Sequence, residues 1–339
     1  MPKGVFKLPN ITNEPIKSYA PGSPERKELK SQINQLRSIV ADVPMIIDGK
    51  EVRTGKLVDI RPPHDHHHLL GHYHQGDASH VQMAIDAALK AKPAWEKMSW
   101  ESRAAIFLKA ADLLAGPYRQ RMNAVTMLGQ SKNAFQAEID CVAELADFFR
   151  FNVKNMYEIY HMQPNSAPGI WNRTVWRPLE GFVFALTPFN FTSIAGNLPG
   201  APALMGNVCV WKPSKTAVYS AHLIMEILKE AGLPDGVINL VYCSGPTAAD
   251  VIFSHKDFAG IHFTGSTQVF NDIWATIVIN TEVIRELLGK PEARTIFSPT
   301  RQHVLKKWQQ LSYAGRSSIK DKNVLPPHAL TFLPISGPK

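Results

Sequence analysis

The sequence predicts an α/β protein whose core is a parallel β-sheet. Short apolar runs recur beyond Gly181, and amphipathic helical patterns lie between them. Hydrophobic residues make up 45% of a chain of 339, which is enough for a large core. Apolar runs that alternate with helices are typical of right-handed βαβ units. At roughly 100–200 residues per domain, a chain of this length holds two domains, or one large α/β domain with attachments.

Residues 1–44 are predicted to form an N-terminal arm that contains one helix. Ser23 followed by Pro24 supplies an N-cap and a first-turn proline, and the helix is predicted to run to Ile39. Residues 45–52 are predicted to form a hairpin, because Asp-Gly at its centre favours the positive φ angles of a tight turn.

Four helices and a short strand are predicted to follow the hairpin. Each helix is indicated by apolar residues at helical spacing, and most have a polar cap. The acidic residues of the last of these helices are interpreted as a solvated face. The predicted helices span 79–95, 99–114, 118–129 and 133–156, and the predicted strand spans 172–176.

The sheet is predicted from the apolar runs that follow Gly181. A helix between the second and third runs ends at Gly232, with Pro234 just beyond it, as expected of a helix C-terminus. Parallel sheets of this kind bind ligands at the carboxyl ends of their strands. The predicted strands are 182–186, 208–211, 238–242 and 260–263.

Polar residues follow three of these strands. Asn190 comes after the first, Lys212 after the second, and Gly265-Ser266 after the fourth. An amide can donate to an oxyanion, an ammonium to ribose hydroxyls, and a helix N-terminus to a phosphate. Taken singly, each is also typical of ordinary structure: a turn asparagine, a solvated lysine and a helix cap. Parallel chain direction would place all three at one edge of the sheet.

Longer motifs surround these residues, and with them the sequence resembles the NAD-dependent aldehyde dehydrogenase superfamily. Within that superfamily it is most similar to the Δ1-pyrroline-5-carboxylate (L-glutamate γ-semialdehyde) dehydrogenase branch. The resemblance runs from about Asn13 to Trp274. The matching motifs are Gly22–Arg26, Phe107–Asp112, Gln136–Asp140, Asp147–Asn152, Leu179–Phe182, Pro188–Thr192, Gly200–Asn207 and Trp211–Ser214.

The resemblance implies a role for particular residues. Asn190 matches the asparagine that stabilises the oxyanion during acyl transfer. Thr187 matches a cofactor contact, and Lys212 matches the lysine on the adenosine ribose. The turn and first helical residues beside the pyrophosphate are matched by Gly265, Ser266, Thr267, Gln268 and Val269.

Two catalytic motifs of the family are not found in this sequence. The family uses a cysteine, in a Gly-Gln-Lys-Cys type motif, to attack the aldehyde. It uses a glutamate, in a Glu-X-Gly-Gly-Lys type motif, as a general base. None of Cys141, Cys209 and Cys243 stands in the nucleophile motif, and Leu288-Gly289-Lys290 is only a faint echo of the base motif. The chain is therefore expected to have no dehydrogenase activity by itself.

The resemblance implies a Rossmann-like cofactor domain whose parallel sheet is incomplete, preceded by helices and followed by an irregular tail. The domains are expected to be an arm at 1–44, an NAD-binding domain at 45–274 and a divergent tail at 275–339. Residues 171–178 would be the oligomerisation flap strand. The tail contains ten Lys and Arg against four Asp and Glu, so much of the net charge of +8 lies there.

The function implied is NAD-dependent oxidation of L-glutamate γ-semialdehyde to glutamate, in proline degradation in the mitochondrial matrix. The alternative is a non-catalytic dinucleotide-binding module that forms a homo-oligomer or associates with full-length subunits. The partner implied by the family is a small-molecule substrate. No transit peptide is visible, and no apolar stretch is long enough to predict a transmembrane helix.

Two further features suggest other functions. Seven histidines between His64 and His80 suggest metal binding, but they lack ligand spacing, so no metal site is predicted. The basic tail has Trp308 and Tyr313 among its charges, which suggests nucleic-acid binding. Because no nucleic-acid-binding module surrounds them, a solvated tail is favoured over a nucleic-acid partner.

Overall fold

The computed structural model describes residues 7–287. The chain forms two compact units, which divide between Gly265 and Ser266. This division lies a few residues before the boundary that the sequence places at Trp274. The predicted arm, cofactor domain and tail remain predictions.

Ten α-helices lie within the described residues. The helix predicted in the arm and those predicted at 79–95, 99–114 and 118–129 are present, with ends shifted by one to a few residues. Within residues 7–287, no helix combines the length and apolar character that crossing a bilayer requires. The α-helices are α1 (Pro24–Arg37), α2 (Ala78–Lys97), α3 (Trp100–Ala115), α4 (Arg119–Gln130), α5 (Ala134–Ala137), α6 (Glu144–His161), α7 (Thr192–Leu204), α8 (Val218–Ala231), α9 (Gly245–Phe253) and α10 (Thr267–Leu287).

Nine strands are found in the same part of the chain. All four strands predicted after Gly181 are present. The strands are β1 (Ala41–Val43), β2 (Met45–Ile47), β3 (Lys50–Val52), β4 (Leu57–Ile60), β5 (Gly71–His74), β6 (Phe182–Leu186), β7 (Cys209–Lys212), β8 (Ile238–Leu240) and β9 (Phe258–Phe263).

The main sheet has six strands in the order β3-β2-β8-β7-β6-β9. The strands β8, β7, β6 and β9 are parallel, whereas β2 pairs antiparallel with β8 and with β3. A smaller sheet has the order β1-β5-β4. The predicted α/β class with a parallel central sheet is confirmed. The parallel strands are almost wholly apolar because helices cover the sheet.

The N-terminal elements follow their local sequence signals. The Ser23 hydroxyl accepts a hydrogen bond from the Arg26 backbone N–H at 3.4 Å, as an N-cap should. The turn of the β2–β3 hairpin has positive φ at both central residues, 52° at Asp48 and 71° at Gly49. Both signals act within a few residues, so the sequence alone predicted them correctly.

The helix predicted at 133–156 is interrupted. It divides into α5, a π-helical turn over Glu138–Ala143, and α6. The turn coincides with Glu138, whose side chain is fully buried and accepts a hydrogen bond from Arg119. The interpretation of the acidic residues here as a solvated face is therefore wrong for Glu138. A buried carboxylate is stable only with such partners, which lie far away in the sequence.

Two predictions near the ends of the sheet need correction. Residues 172–176 form no strand, and Trp171 and Val175 beside and within them are 86% and 74% exposed. An extended segment becomes a strand only when another strand takes up its backbone hydrogen bonds. The tail, predicted to be largely irregular over 275–339, begins with a helical segment that runs through Leu287 as part of α10. The rest of the tail lies outside the described residues.

Candidate functional site

The carboxyl ends of β6, β7 and β9 meet at one edge of the main sheet. In the strand register, Leu186 of β6 lies opposite Lys212 of β7 on one side and Phe263 of β9 on the other. The chain runs from β6 through β7 to β8, and then returns to place β9 on the far side of β6. This reversal makes the carboxyl ends of β6 and β9 a topological switch point of the sheet. Such a switch point is where open α/β sheets bind ligands.

Thr187 ties the ends of two strands together. Its backbone N–H donates to the Lys212 carbonyl at 3.2 Å. Its hydroxyl accepts a hydrogen bond from the Trp211 indole N–H at 3.1 Å. The side chain is buried. Thr187 therefore fixes the loop that leads to Asn190, and its hydroxyl already has a protein donor.

Asn190 lies on the loop between β6 and α7. Its side chain is exposed, and within residues 7–287 it makes no hydrogen bond. The neighbouring Phe189 is 63% exposed. An amide held on a short loop, with its N–H groups unused, can donate to the oxygen of a carbonyl ligand.

Lys212 ends β7 and is largely buried. Its ammonium donates to the carbonyl of Pro213 at 3.3 Å, and no carboxylate in the described segment forms an ion pair with it. Burial lowers the pKa of Lys212, and the nearby Cys243 partly opposes this shift. A buried ammonium with one weak acceptor has donors to spare. It fits the hydroxyl groups of a ribose.

Gly265 lies two residues after β9. A Cβ there would come within 2.4 Å of the Phe263 ring, so a side chain would displace the ring. The absence of a side chain also leaves the backbone open to the close approach of a ligand.

Ser266 begins the second unit, which is described by itself. Its hydroxyl accepts a hydrogen bond from the Val269 N–H at 3.3 Å, so it caps α10. The N–H groups of Thr267 and Gln268 open the helix and have no carbonyl partner within it. Exposed N–H groups at a helix N-terminus suit a phosphate.

The structure therefore brings four of the predicted residues to one edge of the first unit: Thr187, Asn190, Lys212 and Gly265. The other four, from Ser266 to Val269, form the first turn of the second unit. The roles that the resemblance implies for all eight remain proposals.

A titratable group that the sequence analysis counted with the solvated face lies near the Asn190 loop. Glu144 accepts a hydrogen bond from the hydroxyl of Ser193, a residue in the first turn of α7. Burial raises the pKa of Glu144. Lys132 binds Asp140 at 2.6 Å and lies 4.0 Å from the centre of the Phe191 ring. The only sequence signal was an acid on an otherwise apolar helix face, which is not specific.

The three cysteines lie in environments that disfavour the thiolate. Cys141 and Cys209 are fully buried, and burial raises the pKa of both, to about 12 for Cys141. Cys243 follows β8 and is partly exposed, and burial raises its pKa to about 11 although Lys212 opposes this. A thiolate is the reactive form, so none of the three is activated as a nucleophile.

This difference in burial predicts the order of thiol modification. In the native chain, a disulfide reagent should react with Cys243 alone, and slowly, whereas all three cysteines should react after denaturation. The release of chromophore per mole of chain measures this. A Cys243→Ser variant is the control and should show no reaction while native. Rapid modification of Cys141 or Cys209 would contradict the burial described.

Three of the seven histidines between His64 and His80 pair with carboxylates. Among the described residues, no group of three His, Cys, Asp or Glu is arranged to hold a metal ion. Three of the histidines instead contact one aspartate each. The pairs are His72–Asp59, His74–Asp42 and His80–Asp77.

Comparisons with known proteins agree with this geometry. The model of the "Aldehyde dehydrogenase family" matches residues 51–297, which extends past Trp274, where the resemblance recognised in the sequence ends. A delta-1-pyrroline-5-carboxylate dehydrogenase of Agaricus bisporus is 52% identical over 282 residues, which are 82% of this chain and 51% of that protein. The mitochondrial enzyme of that name from Homo sapiens is 44% identical, over 80% of this chain and 48% of its own length.

A solved structure is similar in fold as well. The delta-pyrroline-5-carboxylate dehydrogenase of Mycobacterium tuberculosis, bound with NAD, superposes with a TM-score of 0.81 at 48% identity. The superposition covers 83% of this chain and 52% of that one. The chain thus spans about half the length of the relatives it matches. The family model matches most of the chain, and the strand-edge geometry agrees with it. The chain therefore belongs to the aldehyde dehydrogenase family.

Proposed function

We propose that this chain is the dinucleotide-binding part of an NAD-dependent aldehyde dehydrogenase, and that the whole protein oxidises L-glutamate γ-semialdehyde to glutamate. The observation that carries the proposal is the meeting of Asn190, Lys212 and Gly265 at one edge of a parallel sheet, beside a topological switch point. The names of the relatives support L-glutamate γ-semialdehyde as the substrate. Several of those relatives are named as mitochondrial.

Each residue has a distinct part in this proposal. Lys212 would donate to the adenosine ribose hydroxyls of NAD⁺. Gly265 would allow the close approach of the dinucleotide. In the second unit, described by itself, the free N–H groups that open α10 have the chemistry that a phosphate requires. Bound NAD⁺ would supply the hydride acceptor for oxidation of the aldehyde. Asn190 would donate to the negative charge that develops on the aldehyde oxygen.

The chain alone should not complete this reaction. An aldehyde dehydrogenase of this type needs a thiolate to attack the aldehyde and a base to activate water. Burial raises the pKa of all three cysteine thiols, so none supplies that thiolate. The sequence that echoes the base motif, Leu288-Gly289-Lys290, lies outside the described residues.

The alternative is a non-catalytic module that binds dinucleotide or pairs with full-length subunits. One observation favours it. The segment between α6 and β6 carries several exposed apolar side chains, as expected of a surface that another chain covers. They are Met162, Ile170, Trp171, Val175 and Trp176.

A calorimetric titration of the 339-residue chain with NAD⁺ tests the proposal. We expect saturable binding, and about tenfold weaker binding for Lys212→Met, since a hydrogen bond from a charged group contributes roughly 1.5–3 kcal/mol. The same variant should be as stable as the parent chain or more so, because it removes a buried and poorly paired ammonium. Lys256→Met is the control, because Lys256 is exposed and precedes β9 at the opposite edge.

Activity is measured with the same samples by NADH fluorescence in the presence of the semialdehyde. We expect no NADH above the blank. A clear signal would refute the inactivity of the isolated chain. If millimolar NAD⁺ gave no response in the titration, the dinucleotide site itself would be refuted.

A further inference from the structure

We propose that the pocket between α8 and the β2–β3 hairpin is a binding site for a small primary alkylammonium ion. The pocket lies within the first unit, at the amino end of β8, so it faces the opposite edge of the sheet from Lys212. None of the eight residues predicted to bind the dinucleotide lines it. The inference therefore goes beyond the proposed function and does not depend on it.

The pocket has mostly apolar walls and opens to solvent. Its volume is about 100 Å³. A water molecule takes roughly 30 Å³ of the liquid, so the pocket has room for a short chain of a few heavy atoms. Asp235 and Lys229 also line it and are exposed, which places its mouth at the surface. The apolar side chains that line it include Ile46, Met225, Leu233 and Ile238.

His222 contributes an unused hydrogen-bonding atom to this pocket. It lines the pocket, it is only 7% exposed, and its Nδ1 has no hydrogen-bond partner among residues 7–287. Its Nε2 lies 3.4 Å from the Glu226 carboxylate. A neutral ring that donates from Nε2 to this carboxylate leaves Nδ1 as an acceptor. A buried acceptor without a partner costs free energy, and a donor that enters the pocket would recover it.

Three carboxylates line the pocket and favour a positively charged donor. Glu51 is paired with Arg53 at 2.7 Å, and Glu226 is paired with Arg121 at 3.2 Å. The third carboxylate, that of Asp235, forms no ion pair within the described part of the chain. Asp235 is therefore the carboxylate that is left to pair with a bound cation.

The hairpin turn positions Asp235 and occupies the neighbouring lysine. A Cβ added at Gly49 would lie 1.8 Å from Oδ1 of Asp235, so the carboxylate packs directly against the turn. Lys229 also lines the pocket, but its ammonium donates to the Gly49 carbonyl at 3.0 Å. The Asp235 carboxylate and the Nδ1 of His222 are therefore both available to a ligand.

A primary alkylammonium ion matches this combination of groups. Its ammonium carries a positive charge and several N–H donors, which suit a carboxylate and an imidazole acceptor. Its alkyl chain can cover the apolar walls. A carboxylate ligand would instead be repelled by the acidic lining, and an alcohol would bring a single donor without a charge.

A calorimetric titration of the 339-residue chain with n-butylammonium chloride tests the site. We expect saturable binding with a Kd on the order of millimolar, as suits so small a ligand. The uncharged n-butanol should bind at least about tenfold more weakly, and n-butyrate should not bind. Nα-acetyl-L-lysine methylamide carries the same ammonium on a peptide backbone. Similar binding of it would extend the site to the lysine side chain of another protein, and its failure to bind would restrict the site to free amines.

Substitutions assign the binding to particular groups. Asp235→Asn and His222→Phe should each weaken the binding of n-butylammonium about tenfold, while thermal unfolding shows that the variants remain folded. Lys229→Met removes a competing charge and should strengthen binding about threefold. Asp250→Asn is the matched control, because Asp250 is an exposed aspartate of α9 that does not line the pocket. It should leave the affinity unchanged.

Three results would overturn the site. The first is no response to tens of millimolar n-butylammonium. The second is equal binding of n-butanol, which would make the pocket a purely apolar cavity. The third is an equal effect of Asp235→Asn and Asp250→Asn, which would place the bound cation elsewhere. In each case the proposed function stands, because the titration with NAD⁺ concerns the opposite edge of the sheet.

Discussion

Replacement of Glu138 by alanine should lower the free energy of unfolding by about 3 kcal/mol or more. Glu138 is fully buried in the π-helical turn, and its carboxylate accepts hydrogen bonds from Arg119, from the Tyr19 hydroxyl at 2.7 Å and from the Asn123 amide at 2.8 Å. Its loss would leave a buried guanidinium and a buried hydroxyl without their main acceptor.

The same network holds the N-terminal segment against the helices. The Lys17 backbone N–H donates to Glu138 at 2.9 Å, and Glu14 binds both Arg119 and Arg150 at 2.6 Å. In the Glu138→Ala variant, Glu14 would still pair with Arg119. The loss of unfolding free energy should therefore lie at the lower end of the range for broken buried ion pairs.

Urea titration followed by tryptophan fluorescence measures the change in midpoint. Glu158→Ala is the matched control, since Glu158 lies on α6, is 55% exposed and contacts only Lys154 at 3.9 Å. That variant should change stability by less than about 0.5 kcal/mol. Equal effects of the two substitutions would contradict the network described.

The network also predicts the direction of the pH dependence. Burial alone would raise the pKa of Glu138, but the hydrogen bonds from Arg119 and its neighbours hold the pKa below its usual value. A carboxylate whose pKa is lower in the folded state stabilises the fold above the unfolded-state value of about 4.3. This contribution is lost as the pH falls through the folded-state pKa. Below that point, Glu138→Ala should differ less from the parent chain.

Gly181→Ala should destabilise the chain by about 2–5 kcal/mol. Gly181 directly precedes β6 and has a φ of 94°, which side chains other than glycine rarely adopt. A Cβ there would also lie 1.9 Å from the Asp257 carbonyl, in the segment that enters β9. Relief of this clash would move the amino-terminal end of β6 away from that of β9.

Gly169→Ala is the control for this substitution. Gly169 has a φ of 77°, but a Cβ added there would have no atom within 4 Å, so the substitution brings the backbone strain without the clash. The free energy of unfolding of Gly169→Ala should fall by only about 1–2 kcal/mol. Thermal unfolding and NAD⁺ affinity are measured for both variants. Similar free energies of unfolding for the two variants would contradict the prediction, because they would show that β6 and β9 accommodate the added Cβ with little loss of stability.

Local signals explain what could be predicted of the fold. The cap at Ser23, the turn at Asp48-Gly49 and the helix end at Gly232 each depend on residues only a few positions apart. The apolar strands β6, β7 and β8 were equally predictable from the sequence, because nearly all of their residues are buried. Chain direction then placed Lys212 and Asn190 at one edge without any knowledge of contacts.

Long-range contacts explain what was missed. The π-helical turn contains a carboxylate whose partners include the backbone of Lys17, 121 positions away. Residues 172–176 have the composition of a strand but no neighbouring strand among the described residues. The state of Glu144 depends on Ser193, which belongs to another helix. None of these partners is visible in a local pattern.

The sequence by itself determined the first helix, the hairpin, the strands of the parallel sheet, the family resemblance and the residue types at the strand ends. Only the tertiary structure decided which of those side chains are engaged and which remain available. Thr187 accepts a hydrogen bond from Trp211, whereas Lys212 has one weak acceptor. Burial and hydrogen bonding set the charge and reactivity of a side chain, and both depend on segments that meet only when the chain folds.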